Sequence, residues 1–348
     1  MKKRTILYIG WVGFANHGDD LTHDIFLDLI TKEAKKNKLE LDIKALYPSN
    51  FNEYLLARIN PDLVVLGAGS LFEPVYLKPL VLAQQQSIPT VIWGSGYDSI
   101  AEGDINSSQI DPDSAYMIRQ VVTNANLVGV RGPFTKQMLD NIGASHPQLH
   151  ISGDPGLLLK ATRTKKNTSP TIAVNWGTAF NRVYGGNETT AMNQLAKALD
   201  KLLDFQIIIY PVWERDIESC RELYEAINNK ESVILLEQVP SPQELIDLYL
   251  RSKLTINMKL HANVFSAALN RPFICLAYRL KGLDFAASLN LSDLAFPLST
   301  PKLSDKILGA VRKVSQNPSM YIERINQQKT IYEKHLLELI QGVVKLLI

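Results

Sequence analysis

Short apolar segments alternate with longer helical segments along the whole chain, and this alternation limits the possible folds more than any other feature. Strands separated by helices favour parallel sheets. The predicted strands cover residues 5–10, 41–46, 63–66, 90–93, 127–130, 149–152, 171–175, 206–210, 232–236, 254–256 and 273–277. The predicted helices cover residues 21–34, 189–203, 217–228 and 242–250.

The pattern stops at a polar, basic stretch that ends in proline, residues 161–170, and then restarts. We expect this stretch to be a linker between two domains, because 348 residues are many for one core. The sequence thus predicts an α/β protein with Rossmann-like domains at residues 1–160 and 171–317. Residues 318–348 carry a helical apolar stripe, which predicts a helix docked on the body of the protein; membrane-surface contact is the alternative.

Composition excludes several classes of function. The 37 basic and 35 acidic residues nearly cancel, so no global charge favours a nucleic-acid partner. The apolar segment near the start is too short for a signal peptide or a spanning helix. Two cysteines, Cys220 and Cys275, suit a reducing compartment. We expect a soluble cytoplasmic protein with at most peripheral membrane contact.

The most informative motif lies where two predicted strands end. The first runs into Lys259-Leu260-His261 and then a helix of small residues, and the second ends near Tyr278 and Lys281. In open α/β sheets, ligands bind beyond the carboxyl ends of strands and at helix N-termini. The motif therefore predicts a site for a small anion, with a titratable histidine beside it.

Other residues follow predicted strands at the same kind of edge. Arg131 is either an anion ligand or a salt-bridge residue, and Phe72 stands where a dinucleotide motif needs its third glycine. Turn and cap roles are the structural alternative for several others. No histidine pair has metal-ligand spacing. The residues that we expect to line a ligand cleft are Asn16, Gly18, Asp19, Gly67, Gly69, Ser70, Asn175, Trp176 and Tyr278.

The order of these motifs resembles the polysaccharide pyruvyl transferases, most closely their bacterial exopolysaccharide branch. It runs Asn-x-Gly-Asp, Gly-Ala-Gly-Ser, Val-Arg-Gly-Pro, Gly-Asp-Pro and Lys-Leu-His-Ala, and covers roughly residues 8–289. The family tripeptide is usually Arg-Leu-His, whereas this chain has Lys259. Lysine keeps the positive charge but lacks the planar fork that grips an anion at two points.

The resemblance implies a reaction and an architecture. Pyruvate from phosphoenolpyruvate would join two hydroxyls of a sugar as a cyclic ketal, during exopolysaccharide or envelope polysaccharide biosynthesis. Arg131, Lys259, Leu260 and Lys281 would bind the donor, and His261 would be the general acid, without a metal or further cofactor. The acceptor would be a lipid-linked sugar at the inner membrane face. Two Rossmann-like domains would face a central cleft, as in a large class of glycosyltransferases.

Two alternatives remain open at this point. A glycosyltransferase with a nucleotide-sugar donor would place a diphosphate at the same cations and would usually use an acidic residue for the ribose. Asp284 is the only acid close after Tyr278. A relative without catalysis, acting as a scaffold in envelope assembly, is favoured only by Lys259.

Overall fold

The structure is a computed structural model that describes residues 3–14, 17–101, 110–160 and 170–348. The chain divides into two compact units. The first holds the described residues up to 98, residues 110–156 and residues 330–348, and the second holds residues 99–101 and the described part of 157–329. The expected linker lies outside the described residues, apart from Pro170.

The first unit contains a parallel sheet. Its strands, in the part of the chain that the structure describes, are β1 (Lys3–Ile9), β2 (Glu40–Leu46), β3 (Leu63–Leu66), β4 (Thr90–Ser95), β5 (Leu127–Val130) and β6 (His150–Ile151). Their order is β2-β1-β3-β4-β5-β6, with parallel pairing throughout. The order changes direction between β1 and β3, so the loops that follow these two strands meet at one edge of the sheet.

The helices of the first unit begin with α1 (His17–Lys36), which starts earlier than the expected position 21. Gly18 and Asp19 therefore lie in its first helical turn. The acidic residues Asp19 and Asp20 suit the positive end of the helix dipole, which favours the longer helix. The next helices are α2 (Glu53–Ile59), α3 (Pro74–Gln85), α4 (Pro112–Asn124) and α5 (Pro133–Asn141).

The second unit contains another parallel sheet. Its strands, again among the described residues, are β7 (Thr171–Asn175), β8 (Gln206–Tyr210), β9 (Val233–Leu235), β10 (Ser252–Asn257), β11 (Phe273–Ala277) and β12 (Ala295–Pro297). Their order is β12-β11-β10-β7-β8-β9. The order changes direction between β7 and β10, which defines the position where this fold usually binds ligands.

Six helices connect and cover these strands in the described part of the second unit. They are α6 (Glu188–Leu199), α7 (Ile217–Ala226), α8 (Pro242–Arg251), α9 (Leu260–Ala268), α10 (Leu280–Ser288) and α11 (Leu303–Gln316). Helix α8 begins with a capping box, in which Ser241 and Glu244 satisfy each other's backbone N–H groups. Helix α9 is nearly all buried, because its small residues allow close packing against the sheet.

The last segment is a single helix, α12 (Pro318–Leu347). From residue 330 onward it belongs to the first unit. His335 Nδ1 lies 2.9 Å from the Ile151 carbonyl oxygen, and Arg4 Nε donates to the Leu347 carbonyl at 2.8 Å. Leu339 fills the space beside Gly129, so the prediction that the apolar stripe docks on the protein is confirmed. No helix of the described residues is long and apolar enough to cross a membrane.

Candidate active site

The candidate site lies at the carboxyl edge of the second sheet, where β7 and β10 end side by side. The Asn175 side-chain oxygen accepts a hydrogen bond from the Lys259 backbone N–H at 3.0 Å. The Asn175 amide group donates to the Tyr210 carbonyl at 3.1 Å. Asn175 thus ties the ends of β8 and β10 to that of β7, and it fixes the position at which α9 begins.

Lys259 forms a buried ion pair that sequence patterns did not reveal. Its ammonium lies 2.9 Å from Asp216 Oδ1, and the two side chains are 14% and 0% exposed. The ammonium also donates to the Thr178 carbonyl at 2.6 Å. Two of its three N–H bonds are therefore used within the second unit, and the charge is held at one place on the sheet edge.

Asp216 links the loops that follow β7 and β8. Its Oδ1 also accepts the Thr178 backbone N–H at 3.1 Å. Burial raises the pKa of Asp216 above its ordinary value, although the Lys259 ammonium and the Thr178 N–H act in the opposite direction. A side chain at Gly177 would not fit, because a Cβ there would lie 2.2 Å from Asp216 Oδ1 and 2.7 Å from Lys259 Cε.

Three cationic side chains surround the ring of Tyr278. The Lys281 ammonium lies 4.9 Å from the ring centroid, the Arg279 guanidinium 5.6 Å and the Lys259 ammonium 5.9 Å. We call these four residues the Tyr278 cluster. Arg279 was not singled out from the sequence, although it stands next to Tyr278 at the end of β11. The cluster favours binding of an anion, because cations on adjacent loops add their fields at one point.

His261 is the second residue of α9, and Lys281 holds the same place in α10. Both side chains are partly exposed, whereas Leu260 is buried and anchors the first turn of α9. The His261 ring is nearly parallel to that of Phe265, with centroids 6.1 Å apart and planes inclined by 22°. Helix N-termini direct backbone N–H groups outward, so the start of α9 adds to the attraction for an anion.

Trp176 is one of the residues that we expect to line a cleft. Its side chain is buried, and its carbonyl accepts a hydrogen bond from the Cys220 thiol at 3.2 Å. Asp284 is also fully buried, within α10. This is the acid that a glycosyltransferase would use for the ribose of its donor, and its side chain has no exposed surface.

The remaining predicted residues belong to the first unit. Arg131 is fully buried, and its guanidinium donates to Ser70 Oγ at 3.2 Å and to the Tyr97 carbonyl at 3.0 Å. Gly96 makes room for it, since a Cβ at Gly96 would lie 2.3 Å from the guanidinium. Arg131 therefore holds together the loops that follow β3 and β4.

The glycine-rich loop after β3 is shaped by close packing. A Cβ at Gly67 would lie 2.2 Å from the Tyr8 hydroxyl oxygen, and Gly69 has a φ of +117°. Asp19 lies close to this loop: a Cβ placed on Gly69 would be 3.4 Å from Asp19 Oδ1. Asn16 lies outside the described residues. No group of three His, Cys, Asp or Glu side chains in the described parts of the chain could hold a metal ion.

Comparison with known proteins identifies a family for most of the chain. A family model described as polysaccharide pyruvyl transferase matches residues 16–279. The match includes Asp216, Lys259, His261 and Tyr278, and it ends two residues before Lys281. No curated protein matches the sequence.

Several solved structures of other proteins have a similar fold at low sequence identity. S. aureus MnaA in a co-structure with UDP is 12% identical, with a TM-score of 0.61 over 92% of this chain and 90% of its own. A Methanocaldococcus jannaschii UDP-GlcNAc 2-epimerase in complex with UDP-GlcNAc and UDP is 12% identical, with a TM-score of 0.58 over 90% and 92%. A Thermobaculum terrenum O-GlcNAc transferase mutant is 11% identical, with a TM-score of 0.52 over 99% and 69%. At such low identities these similarities establish the fold alone.

Proposed function

The chain belongs to the polysaccharide pyruvyl transferase family, and we propose that it transfers pyruvate from phosphoenolpyruvate to two hydroxyls of a sugar. The product is a cyclic ketal, made during exopolysaccharide or other envelope polysaccharide biosynthesis. The observation that carries this proposal is that His261 lies in the first turn of α9, directly after the Lys259 that belongs to the Tyr278 cluster, at the carboxyl edge of β10 and β11.

The Tyr278 cluster suits the charge of the donor. Phosphoenolpyruvate carries a carboxylate and a phosphate, about three negative charges in a small volume. Lys259, Arg279 and Lys281 offer three positive charges within 6 Å of one ring. Asp216 cancels part of this field, but it also holds the Lys259 ammonium in place, so the cation needs no reorganisation when the anion binds.

The proposed reaction balances without an oxidant or reductant. One sugar hydroxyl attacks C2 of phosphoenolpyruvate as the methylene carbon gains a proton and becomes a methyl group. The bond from C2 to the phosphate oxygen then breaks, and the second hydroxyl closes the ketal. The two hydroxyls lose two protons, of which one replaces the proton used at carbon and the other leaves with phosphate.

We assign His261 the delivery of the proton to the methylene carbon. Imidazole titrates near neutral pH and can both donate and regain a proton. His261 lies in the first turn of α9, two residues after Lys259, which is the N-cap residue of the same helix. The acceptor in this proposal is a lipid-linked sugar, which requires at most peripheral contact with the inner face of the membrane.

Release of phosphate tests the proposal directly. The protein is incubated with phosphoenolpyruvate and a panel of nitrophenyl or lipid-linked sugars, and phosphate and product mass are measured. We expect acceptor-dependent phosphate release and a product that carries a pyruvate ketal, with His261→Gln inactive and His335→Gln, in the first unit, active. Turnover only with a nucleotide sugar, or no turnover with any sugar diol, would contradict the proposal.

A further inference from the structure

The loop between β7 and α6 exposes an aromatic ring near the candidate site. Phe180 lies in this loop with 61% of its surface exposed. Its φ is +55° and that of Asn181 is +56°, a left-handed conformation that is uncommon for phenylalanine. The ring is largely exposed, so burial of the side chain does not offset the cost of this conformation.

Hydrogen bonds within the loop hold the ring in this exposed place. The Glu188 carboxylate accepts from Thr178 Oγ1 at 2.9 Å, from the Ala179 N–H at 2.5 Å and from the Asn181 N–H at 3.1 Å. The Phe180 N–H donates to Thr178 Oγ1 at 2.9 Å. The exposed ring is thus part of a well-bonded turn rather than of a segment without contacts.

Arg215 and Trp213, from the loop after β8, extend this surface toward the Tyr278 cluster. The Arg215 guanidinium lies 5.9 Å from the Phe180 ring centroid and 4.9 Å from that of Trp213. The Lys259 ammonium lies 5.7 Å from the Trp213 ring on the way to Tyr278. Aromatic rings and cations therefore alternate from the exposed Phe180 to the proposed donor site.

We infer that Phe180, Trp213 and Arg215 form the subsite that holds the pyranose ring of the sugar acceptor, an assignment that rests on the proposed pyruvyl transfer. A pyranose has an apolar face of C–H groups, which packs on aromatic rings, and a rim of hydroxyls, which accept hydrogen bonds. Phe180 and Trp213 provide the rings, and the exposed guanidinium of Arg215 provides several N–H donors in one plane. The subsite begins next to Lys259, so a sugar bound there lies beside the proposed donor.

A sugar subsite of this kind predicts a separation of kinetic effects. Phe180 is exposed, carries no charge and takes no part in the ion pair of Lys259, so we expect its loss to leave donor binding unchanged. For Phe180→Ala we expect the acceptor KM to rise by about tenfold, because the sugar loses the apolar surface that the ring would bury. The KM for phosphoenolpyruvate should stay within about twofold of the wild-type value.

Sugar binding can be measured without the reaction, by saturation-transfer NMR with methyl glycosides of glucose, galactose, mannose and N-acetylglucosamine. We expect transfer mainly to C–H protons of one ring face in the wild-type protein, and a severalfold weaker signal in Phe180→Ala and Arg215→Ala. Tyr116→Ala is the matched control, because Tyr116 is an exposed aromatic residue of α4 in the first unit. It should leave the signal unchanged.

The outcomes separate this inference from the proposed reaction. Equal signals from wild-type, Phe180→Ala and Arg215→Ala proteins would overturn the subsite, as would displacement of the glycoside by uridine monophosphate. If the glycoside signal depends on Phe180 but no acceptor releases phosphate from phosphoenolpyruvate, the proposed reaction fails and the pyranose subsite stands. Melting temperatures of the variants should match the wild type, since both side chains are exposed.

Discussion

The buried pair of Lys259 and Asp216 gives a prediction whose size follows from the structure. Two unit charges 2.9 Å apart attract by about 6 kcal/mol at an effective dielectric constant of about 20. The cost of removing both from water offsets much of this attraction, because the side chains are 14% and 0% exposed. Removal of one partner leaves the other charge buried, which typically costs about 3–5 kcal/mol.

A double-mutant cycle measures this coupling. We expect Asp216→Ala and Lys259→Met each to lower the melting temperature by about 6–20 °C, from about 2–4 °C per kcal/mol for a unit of this size. The double variant should lose about 1–3 kcal/mol less free energy of unfolding than the sum of the two single losses, because it leaves no unpaired charge. Thermal unfolding followed by circular dichroism and tryptophan fluorescence gives these values.

The control for this cycle is an exposed ion pair whose charged atoms lie closer together than those of Lys259 and Asp216. Lys136 and Asp140 lie 2.6 Å apart on α5, with side chains 42% and 55% exposed. Water screens this pair, so Asp140→Ala should cost less than about 1 kcal/mol. Two results would refute the reasoning: strictly additive costs in the Lys259–Asp216 cycle, or a cost for Asp140→Ala as large as that for Asp216→Ala.

Four further predictions concern the candidate site and the docking of α12. His261→Gln should lower turnover about a hundredfold or more at nearly unchanged donor affinity, whereas near-normal turnover would make His261 a packing residue. Lys259→Ala should weaken phosphoenolpyruvate binding by about 1.5–3 kcal/mol in calorimetry, and unchanged affinity would place the anion elsewhere. Gly177→Ala should lower both melting temperature and donor affinity, because its Cβ would displace the ion pair. Burial and nearby His335 lower the pKa of His150. The contribution of neutral His150 to the free energy of unfolding is therefore complete above about pH 6.5 and is lost as the pH falls through the lowered pKa of His150 in the folded protein. His150→Gln should accordingly lose less melting temperature on acidification than the wild type.

The strands were the most predictable part of the fold. Strands β3, β5, β7, β8 and β11 have the bounds expected from the sequence. Nearly all of their residues are buried, so these strands appear in the sequence as short, mainly apolar runs. Strand β12 was not predicted, and neither were helices α2, α3, α4 and α11. Ala295–Pro297 has only three residues and ends in proline, which gives no periodic signal of its own.

The candidate site was only partly predictable, for a topological reason. Lys259, His261, Tyr278 and Lys281 follow β10 and β11, which are consecutive in the chain and pair directly with each other. Asp216 follows β8, which reaches β10 only across the intervening β7. No spacing rule indicates that pairing. The sequence did contain one indication of Asp216: charged residues, Glu214, Arg215 and Asp216, follow soon after the predicted strand β8 and so lie at the same edge of the sheet.

The ion pair also bears on the lysine that replaces the usual arginine of the family tripeptide. An arginine can hold an anion in two places by its own planar shape, whereas a lysine ammonium is a point charge on a flexible stem. Asp216 and the Thr178 carbonyl remove this flexibility, since they fix two of the three N–H directions of Lys259. Among the described residues, only these two groups accept hydrogen bonds from the ammonium, which leaves its third N–H for an incoming anion.

Lys259→Arg is therefore expected to improve donor affinity only if the guanidinium fits between Gly177, Asp216 and Trp213. Gly177 packs closely on the ion pair, since a Cβ on Gly177 would lie 2.7 Å from Lys259 Cε, so we expect the arginine variant to lose melting temperature. A gain in both stability and affinity would contradict this account of the site.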